Sequence, residues 1–322
     1  MGVEGLEGDG GERKMTASKI MRMRRFGITR RRLLVFTGTL VLVWLASGAV
    51  AAWKLTHRFG AVRVEVKPEW AGITVEAHRL ATTDGHRIGA WLARGNPECA
   101  AVLVLHGNNA SRSASIDVMR FFAERGHGVL AISFRAHGDS SGEVNDVGYG
   151  ARHDVVAAVD FLRREQPDRK VVIVAQSLGA AAAIYAAADC AGKVDGYFLE
   201  SPYRDLKTAV WNRCDNYLAT PFDYSAYWAL RLWAPVFLPV DIDLLDTSGH
   251  VGDIPGDVPV LFLAGDDDRH ARVEEVKALH TQIQSHSRLK TVAGCGHTQI
   301  FQNHPEVYRQ ALLELVEWVE KL

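Results

Sequence analysis

A serine stands at the end of an apolar run, where its side chain could act as a nucleophile. Residues 171–175 are apolar and mostly β-branched, which is typical of a buried parallel strand, and the alanine run 180–183 is typical of a closely packed helix. Ser177 lies between them. Ala175 and Gly179, two residues before and after it, are small enough for a sharp strand-to-helix turn. The pattern predicts that Ser177 is exposed at such a turn.

A serine hydroxyl becomes an effective nucleophile when a histidine accepts its proton and a carboxylate orients that histidine. Both groups follow in the sequence. A predicted buried strand, residues 258–265, ends in three consecutive aspartates, and a short strand, residues 289–293, leads into His297 on a glycine-containing loop. Because active sites of doubly wound sheets lie outside the carboxyl ends of the strands, we expect the serine, an aspartate and His297 to meet there.

Two backbone N–H groups are candidates for stabilising an oxyanion. Residues 101–105 form a predicted strand that ends in the tight turn His106-Gly107-Asn108-Asn109. We assign the N–H of Asn108 as one donor. The second is the N–H of Leu178, directly after the serine and at a predicted helix N-terminus. We expect His106 to brace this loop by hydrogen bonding rather than to transfer protons.

From about residue 72 to 322 the chain resembles the α/β-hydrolase superfamily. The turn 106–109 is similar to the His-Gly-Asn motif of its serine-aminopeptidase-like and membrane-associated α/β-hydrolase-domain branch. Residues 134–142 and 199–203 are similar to that branch's Tyr-Arg-Gly-His-Gly-x-Ser-x-Gly loop and Glu-Ser-Pro segment. The resemblance implies an α/β-hydrolase fold with a mostly parallel, doubly wound sheet. It also implies that the acid stands three residues after the strand-end glycine, at Asp268.

Two departures from the family pattern leave rival assignments open. Ala175 replaces the first elbow glycine, and no Val-Pro follows Asp268. The rival acids are the other two aspartates of the run and a glutamate that follows strand six: Asp266, Asp267 and Glu200. His270 is too close to Asp268 in sequence to reach the serine, which leaves His297 as the base. The four cysteines have no zinc-type spacing, and we predict neither a metal nor a cofactor.

The remaining pattern predicts one catalytic domain at residues 72–322. An entry hairpin at 73–80 and 87–93 precedes strands near residues 102, 129, 172, 197, 261 and 290, which alternate with predicted helices. Residues 203–257 are too many for a simple crossover between strands six and seven, and they are rich in aromatic side chains. We therefore predict a helical cap insertion after strand six.

The N-terminal region predicts a membrane attachment. Residues 33–53 carry no charge and are long enough for a transmembrane helix, between a basic, disordered tail at 1–32 and a linker at 54–71. Because basic residues are concentrated before this helix, we expect the N-terminus to be cytoplasmic and the catalytic domain to be outside. A cleaved export signal is the alternative, since residues 49–51 offer a small-x-small site and residues 29–34 resemble a twin-arginine signal.

These observations predict a serine hydrolase that cleaves an ester-type acyl bond through an acyl-enzyme on Ser177, with Asp268 and His297 completing the triad. Its substrate would be a small-molecule or lipid acyl ester, as in a carboxylesterase or lipase. A thioesterase or serine peptidase would use the same triad, and a noncatalytic α/β-hydrolase scaffold is the alternative of another class. The net charge of −1 gives no indication of a nucleic-acid partner.

Overall fold

The computed structural model describes Met1 and residues 30–58, 62 and 64–322. The chain divides into two units, Met1–Trp44 and Leu45–Leu322. Most of the predicted basic tail, residues 2–29, lies outside the described residues, so its predicted disorder stays a prediction.

The first helix, α1 (Arg30–Thr56), covers the apolar segment singled out in the sequence. Its 27 residues correspond to about 40 Å of helix, which exceeds the thickness of a hydrocarbon core. By length and composition α1 is therefore a candidate membrane span. Within the second unit, three small residues of its C-terminal part are buried: Gly48, Ala52 and Thr56.

The second unit is built on an eight-stranded sheet in the order β1-β2-β4-β3-β5-β6-β7-β8. The first two strands form the predicted antiparallel hairpin, β2 pairs antiparallel with β4, and the other neighbours are parallel. The strands are β1 (Val75–Ala81), β2 (Arg87–Ala93), β3 (Ala101–Leu105), β4 (Gly128–Ile132), β5 (Val171–Gln176), β6 (Gly196–Glu200), β7 (Val260–Gly265) and β8 (Ser287–Val292).

Helices cover both faces of this sheet, because alternate strand side chains point to opposite sides. Leu103 and Leu105 face one apolar cluster, and Val102 and Val104 face the other. The first cluster includes α3 (Arg152–Glu165), α4 (Leu178–Tyr185) and α7 (Val273–Gln282). The second includes α2 (Ile116–Ala123) and α9 (Pro305–Glu320), which follows the short helix α8 (Ile300–Asn303). The predicted doubly wound α/β-hydrolase fold is confirmed.

The predicted helical insertion after strand six is present between β6 and β7. It contains α5 (Leu206–Tyr217) and α6 (Phe222–Phe237), followed by short 3-10 turns. The Asp205 side chain caps α5 by accepting a hydrogen bond from the N–H of Thr208. The insertion forms helices rather than a strand because its apolar residues follow helical spacing. They form the contact faces of two helices that pack on one another.

The turn between β5 and α4 is tight, as the small residues around Ser177 predict. Ser177 has φ of 51° and ψ of −111°, a strained conformation for a residue other than glycine. Gly179 lies against the end of β3, where a methyl group would stand 2.8 Å from the carbonyl oxygens of both Leu105 and His106. The helix therefore reaches its position only because residue 179 has no side chain.

We expect Gly179→Ala to destabilise the protein by about 1–3 kcal/mol, because the added methyl meets backbone atoms that cannot rotate away. The matched control is Gly252→Ala, since a methyl at that position meets open space. Thermal unfolding in detergent tests the difference. Equal unfolding midpoints for the two variants would show that β3 and α4 do not need this close approach.

Candidate active site

Three side chains from separate loops form one hydrogen-bonded chain. Ser177 comes from the turn after β5, Asp268 from the loop after β7 and His297 from the loop after β8. The Ser177 Oγ lies 2.9 Å from Nε2 of His297, and Nδ1 of the same ring lies 2.8 Å from Oδ2 of Asp268. A carboxylate only accepts, so Nδ1–H donates to Asp268 and Nε2 is left to accept the serine proton.

The Asp268 carboxylate is held in place by further donors. Its side chain is fully buried, and Oδ1 accepts hydrogen bonds from the N–H groups of His270 and Ala271 at 2.8 and 2.9 Å. Burial opposes ionisation, but the hydrogen bonds from His297 and from these two N–H groups outweigh it and hold the pKa of Asp268 below its ordinary value. The group is therefore an anion at neutral pH.

The rival acids and the rival base point elsewhere. Asp266 accepts a hydrogen bond from the N–H of Gly294 at 2.7 Å, and Asp267 is exposed, 3.6 Å from Arg269. The ring of His270 packs against His297 with centroids 5.1 Å apart, and its Nε2 bonds the Tyr217 hydroxyl at 2.8 Å. None of these three lies within hydrogen-bond distance of Ser177.

The two predicted oxyanion donors flank the serine. Leu178 is the first residue of α4, so its N–H is free of the helix ladder. The turn that carries Asn108 approaches closely, because a methyl on Gly107 would lie 3.6 Å from Cβ of Ser177. In the part of the chain that the structure describes, neither the Asn108 nor the Leu178 N–H donates a hydrogen bond. Both are therefore available to an oxygen at the serine.

A relay of hydrogen bonds connects Asn108 to the end of α1. Its Oδ1 accepts from Nδ2 of Asn145 at 2.7 Å, and the N–H of Asn145 donates to the carbonyl of Thr56 at 2.7 Å. Arg58 continues this attachment by donating to the carbonyls of the loop 138–142. Sequence reasoning missed Asn145 and Thr56, because neither belongs to a motif and their contact spans 89 residues of chain.

His106 braces the turn, as expected. Its Nδ1–H donates to the carbonyl of Gly107 at 2.7 Å, and its Nε2 accepts from the N–H of Phe134 at 3.1 Å. Complete burial lowers the pKa of His106 to about 3, so the ring is neutral.

Glu200, the remaining rival acid, lies behind the serine rather than beside His297. Its Oε2 accepts hydrogen bonds from Nε2 of Gln176 at 2.9 Å and from the hydroxyl of Tyr308 at 3.2 Å, while its own carbonyl accepts from the N–H of Ser177. Within the described residues Oε1 has no partner. Burial raises the pKa of Glu200 to about 7, and nearby Asp268 adds to the effect. The carboxyl is therefore half protonated near neutral pH.

A cavity of about 120 Å³ opens beside Ser177. Its walls are mostly apolar and come from α5, α6 and, unexpectedly, α1, which contributes Ala52, Leu55 and Thr56. Three cationic side chains also line it, namely Lys207, Arg213 and Arg231, and no carboxylate is among the lining residues. An apolar helix pattern cannot distinguish burial in protein from burial in lipid, so the sequence did not reveal the contribution of α1.

Arg213 lines the cavity without an ionic partner among the described residues. Its Nη1 donates to the carbonyl of Ala209 at 2.8 Å, and no carboxylate in the described part of the chain lies within ion-pair distance of it. Burial lowers the pKa of Arg213, although the charge of Asp268 opposes the shift. By contrast, Lys207 pairs with Asp243. No group of three or more metal-ligating side chains occurs among the described residues.

Comparisons with known proteins agree with this architecture. Residues 96–239 match the family model described as serine aminopeptidase, S33. The chain is 25% identical over 201 residues to the uncharacterised membrane protein YNL320W of Saccharomyces cerevisiae, covering 62% of this chain and 64% of the relative. It is 27% identical over 204 residues to human protein ABHD12B, covering 59% and 51%. The matches thus span about half to two thirds of these relatives.

Solved structures support the fold. The esterase Pf2001 of Pyrococcus furiosus superposes with a TM-score of 0.63 at 21% identity, covering 80% of this chain and 98% of the esterase. An esterase from Exiguobacterium antarcticum gives a TM-score of 0.56 at 15% identity, covering 75% of this chain and all of the esterase. At these identities the likeness establishes a shared fold.

The buried Glu200 predicts a specific pH dependence of stability. A carboxyl whose pKa rises from 4.5 to about 7 on folding loses roughly 3 kcal/mol of stability as pH rises through that interval. We expect Glu200→Gln to escape this loss, so that its melting temperature relative to wild type increases between pH 5 and pH 8. Glu317→Gln, on an exposed side chain, is the control. A pH-independent difference for Glu200→Gln would contradict the raised pKa.

Proposed function

This chain belongs to the α/β-hydrolase superfamily, in its serine-aminopeptidase-like branch, and we propose that it is a serine hydrolase that cleaves acyl esters through an acyl-enzyme on Ser177. The observation that carries the proposal is the hydrogen-bonded chain from Ser177 through His297 to Asp268, with distances of 2.9 and 2.8 Å. Its atoms are already within the range needed for proton transfer.

In the proposed mechanism, Oγ of Ser177 attacks the ester carbonyl carbon while its proton passes to Nε2 of His297. The N–H groups of Asn108 and Leu178 stabilise the oxyanion, and Asp268 stabilises the imidazolium. Collapse of the intermediate breaks the C–O bond, and the departing alkoxide takes the proton from His297. A water molecule, deprotonated by His297, then attacks the acyl-enzyme and releases the acid and free Ser177.

The charges of the cavity favour an ester substrate over a peptide bound by its N-terminus. An aminopeptidase must bind the positively charged α-ammonium group of its substrate, which requires acceptor groups such as carboxylates beside the serine. The cavity instead has three cations and no carboxylate among its lining residues. These walls suit an apolar acyl chain, with the cations near its polar or anionic end. The serine peptidase and thioesterase alternatives share the triad and differ in this surface.

We also propose that α1 anchors the protein in a membrane, with the N-terminus cytoplasmic and the catalytic unit outside. Support comes from the apolar 27-residue helix, from the basic residues that precede it and from the yeast relative, which is named a membrane protein. The contacts of Leu45 and Gly48 with α6 favour an intact anchor over a cleaved signal, because cleavage after Ala51 would remove both residues from the catalytic unit.

Substitutions at the triad test the assignment of roles. We expect Ser177→Ala to abolish labelling by a fluorophosphonate while the melting temperature stays close to wild type. Asp268→Asn is expected to lower kcat by roughly 10³–10⁴, because it favours the wrong histidine tautomer. Asp267→Asn is the matched control, since this side chain is exposed, and its kcat should be close to wild type.

Two results would contradict the assignment. Labelling of Ser177→Ala at the wild-type rate would exclude this serine as the nucleophile, and equal losses for the two aspartates would exclude Asp268 as the specific acid. A wild-type chain that never reacts with the probe would favour the noncatalytic scaffold.

The cavity predicts a limit on acyl-chain length. Each buried methylene contributes about 0.8 kcal/mol, or about fourfold in kcat/KM, until the space beside Ser177 is filled. Activity on p-nitrophenyl esters should therefore rise with chain length and then fall sharply. Ala234→Phe, which narrows the cavity, should move the optimum to shorter chains, whereas the exposed Ala191→Phe should not.

Aminoacyl p-nitroanilides serve as the peptidase comparison. We expect them to react far more slowly than esters of similar size. A flat chain-length profile combined with efficient anilide cleavage would reverse the preference for esters.

A further inference from the structure

From Tyr217, the last residue of α5, to the end of α6 the exposed surface carries no charge. At every exposed position between Tyr217 and Val236 the side chain is uncharged, although charged residues are common elsewhere on the protein. The connection between the two helices is exposed throughout, and its large apolar side chains include Tyr217 and Phe222, 68% and 67% exposed. Farther along α6, Trp228 and Leu232 are each more than half exposed.

An apolar surface of this kind is unusual on a protein that faces only water, where such residues occur singly. Phe222, Trp228, Leu232 and Val236 recur at the spacing of one helix face. Tyr and Trp side chains on such a face are typical of the boundary between lipid headgroups and acyl chains. The opposite face of α6 lines the cavity through Tyr227, Leu230 and Ala234. One helix therefore separates the catalytic cavity from the exposed apolar surface.

The second observation concerns the part of the predicted span that belongs to the catalytic unit. Residues 45–53 are within this span, and two of them, Leu45 and Gly48, contact α6. A methyl group on Gly48 would lie 2.8 Å from Cβ of Ala229, and Nε1 of Trp233 donates to the carbonyl of Leu45 at 2.9 Å. If these residues lie in a bilayer, the helix that they contact must lie at its surface.

The contacts also define a direction. Gly48 lies beside Ala229, and the ring of His57, just after α1, lies 6.0 Å from the ring of Phe237, so the two segments run in the same direction. The long side chain of Trp233 reaches back along α6 to Gly48 and Leu45. The N-terminal end of α6, with the connection to α5, therefore lies nearer to Gly48 than to His57. The exposed apolar connection is at that end.

We propose that the α5–α6 hairpin inserts its connection and the exposed face of α6 into the lipid bilayer, with Phe222 deeper than Val236. This inference rests on the membrane attachment proposed above. The bilayer is the occupant that agrees with all three observations: the uncharged surface, its aromatic side chains and its packing on the predicted span. As a consequence, a lipid ester reaches Ser177 along α6 without first entering water.

Nitroxide labels measure this insertion in the full-length protein. The protein is reconstituted in phosphatidylcholine vesicles, with Cys99→Ser as background because the other three cysteines are buried. Single labels are placed at Phe222→Cys and Val236→Cys on α6, at Leu42→Cys on α1 and at the exposed Lys277→Cys on α7. Collision rates with oxygen, which concentrates in lipid, and with a nickel chelate, which stays in water, report depth.

We expect the label at 222 to favour oxygen, the label at 236 to be shallower and the label at 277 to favour nickel. A deep label at 42 combined with water-like labels at 222 and 236 would overturn the hairpin insertion and leave the anchor standing. Water-like labels at all four sites would overturn both. Neither outcome depends on whether the protein hydrolyses esters.

A second measurement uses no labels, so its result does not depend on whether the labels disturb the protein. Phe222→Asp with Leu232→Asp should reduce hydrolysis of a long-chain ester in vesicles by about tenfold, because charge on the lipid-facing surface opposes insertion. Hydrolysis of a short, soluble ester should be unchanged. Val307→Asp, at an exposed apolar residue of α9, is the matched control and should alter neither rate. Equal effects on both esters would contradict the insertion.

Discussion

The sharp turn at Ser177 is the constraint on which the rest of the site depends. A backbone with φ of 51° at a serine is unfavourable, and it persists because both sides of the turn are fixed. On one side the N–H of Ser177 donates to the carbonyl of Glu200 in β6, and on the other Gly179 allows α4 to lie against β3. The same turn raises the hydroxyl toward His297 and leaves the N–H of Leu178 without a partner among the described residues.

Electrostatics around this turn separate two carboxyl groups with different tasks. Asp268 accepts three hydrogen bonds and is held as an anion, whereas Glu200 is buried with two partners and titrates near neutrality. The distance between them is short enough for the charge of Asp268 to raise the pKa of Glu200 further. A second anion directly behind the serine would oppose formation of the oxyanion, so a protonated Glu200 suits the proposed chemistry.

Much of this arrangement could be predicted from the sequence. Ser177 follows an apolar strand and His297 follows a short strand of mixed composition, and local patterns of strand, small residue and loop are sufficient to place both at the carboxyl ends of the strands. The choice of Asp268 over its two neighbours needed the family resemblance, because three consecutive carboxylates have the same local pattern. The contact of α1 with α6 could not be predicted, because the sequence of an apolar helix does not show whether the helix is surrounded by lipid or by protein. Asn145 and Arg213 depend on contacts between distant segments.

The three small residues Gly48, Ala52 and Thr56 recur every fourth position of α1 and are the ones buried in the catalytic unit. They form a buried stripe along the helix, and the rest of its surface is an exposed stripe. Selection should act differently on the two stripes. Along the buried stripe a larger side chain would separate α1 from α6 and fill the cavity, so related sequences should keep small residues there. On the exposed stripe, at Val50 for example, any apolar residue of similar size should be accepted. Variation along α1 should therefore follow the helical repeat rather than hydrophobicity alone.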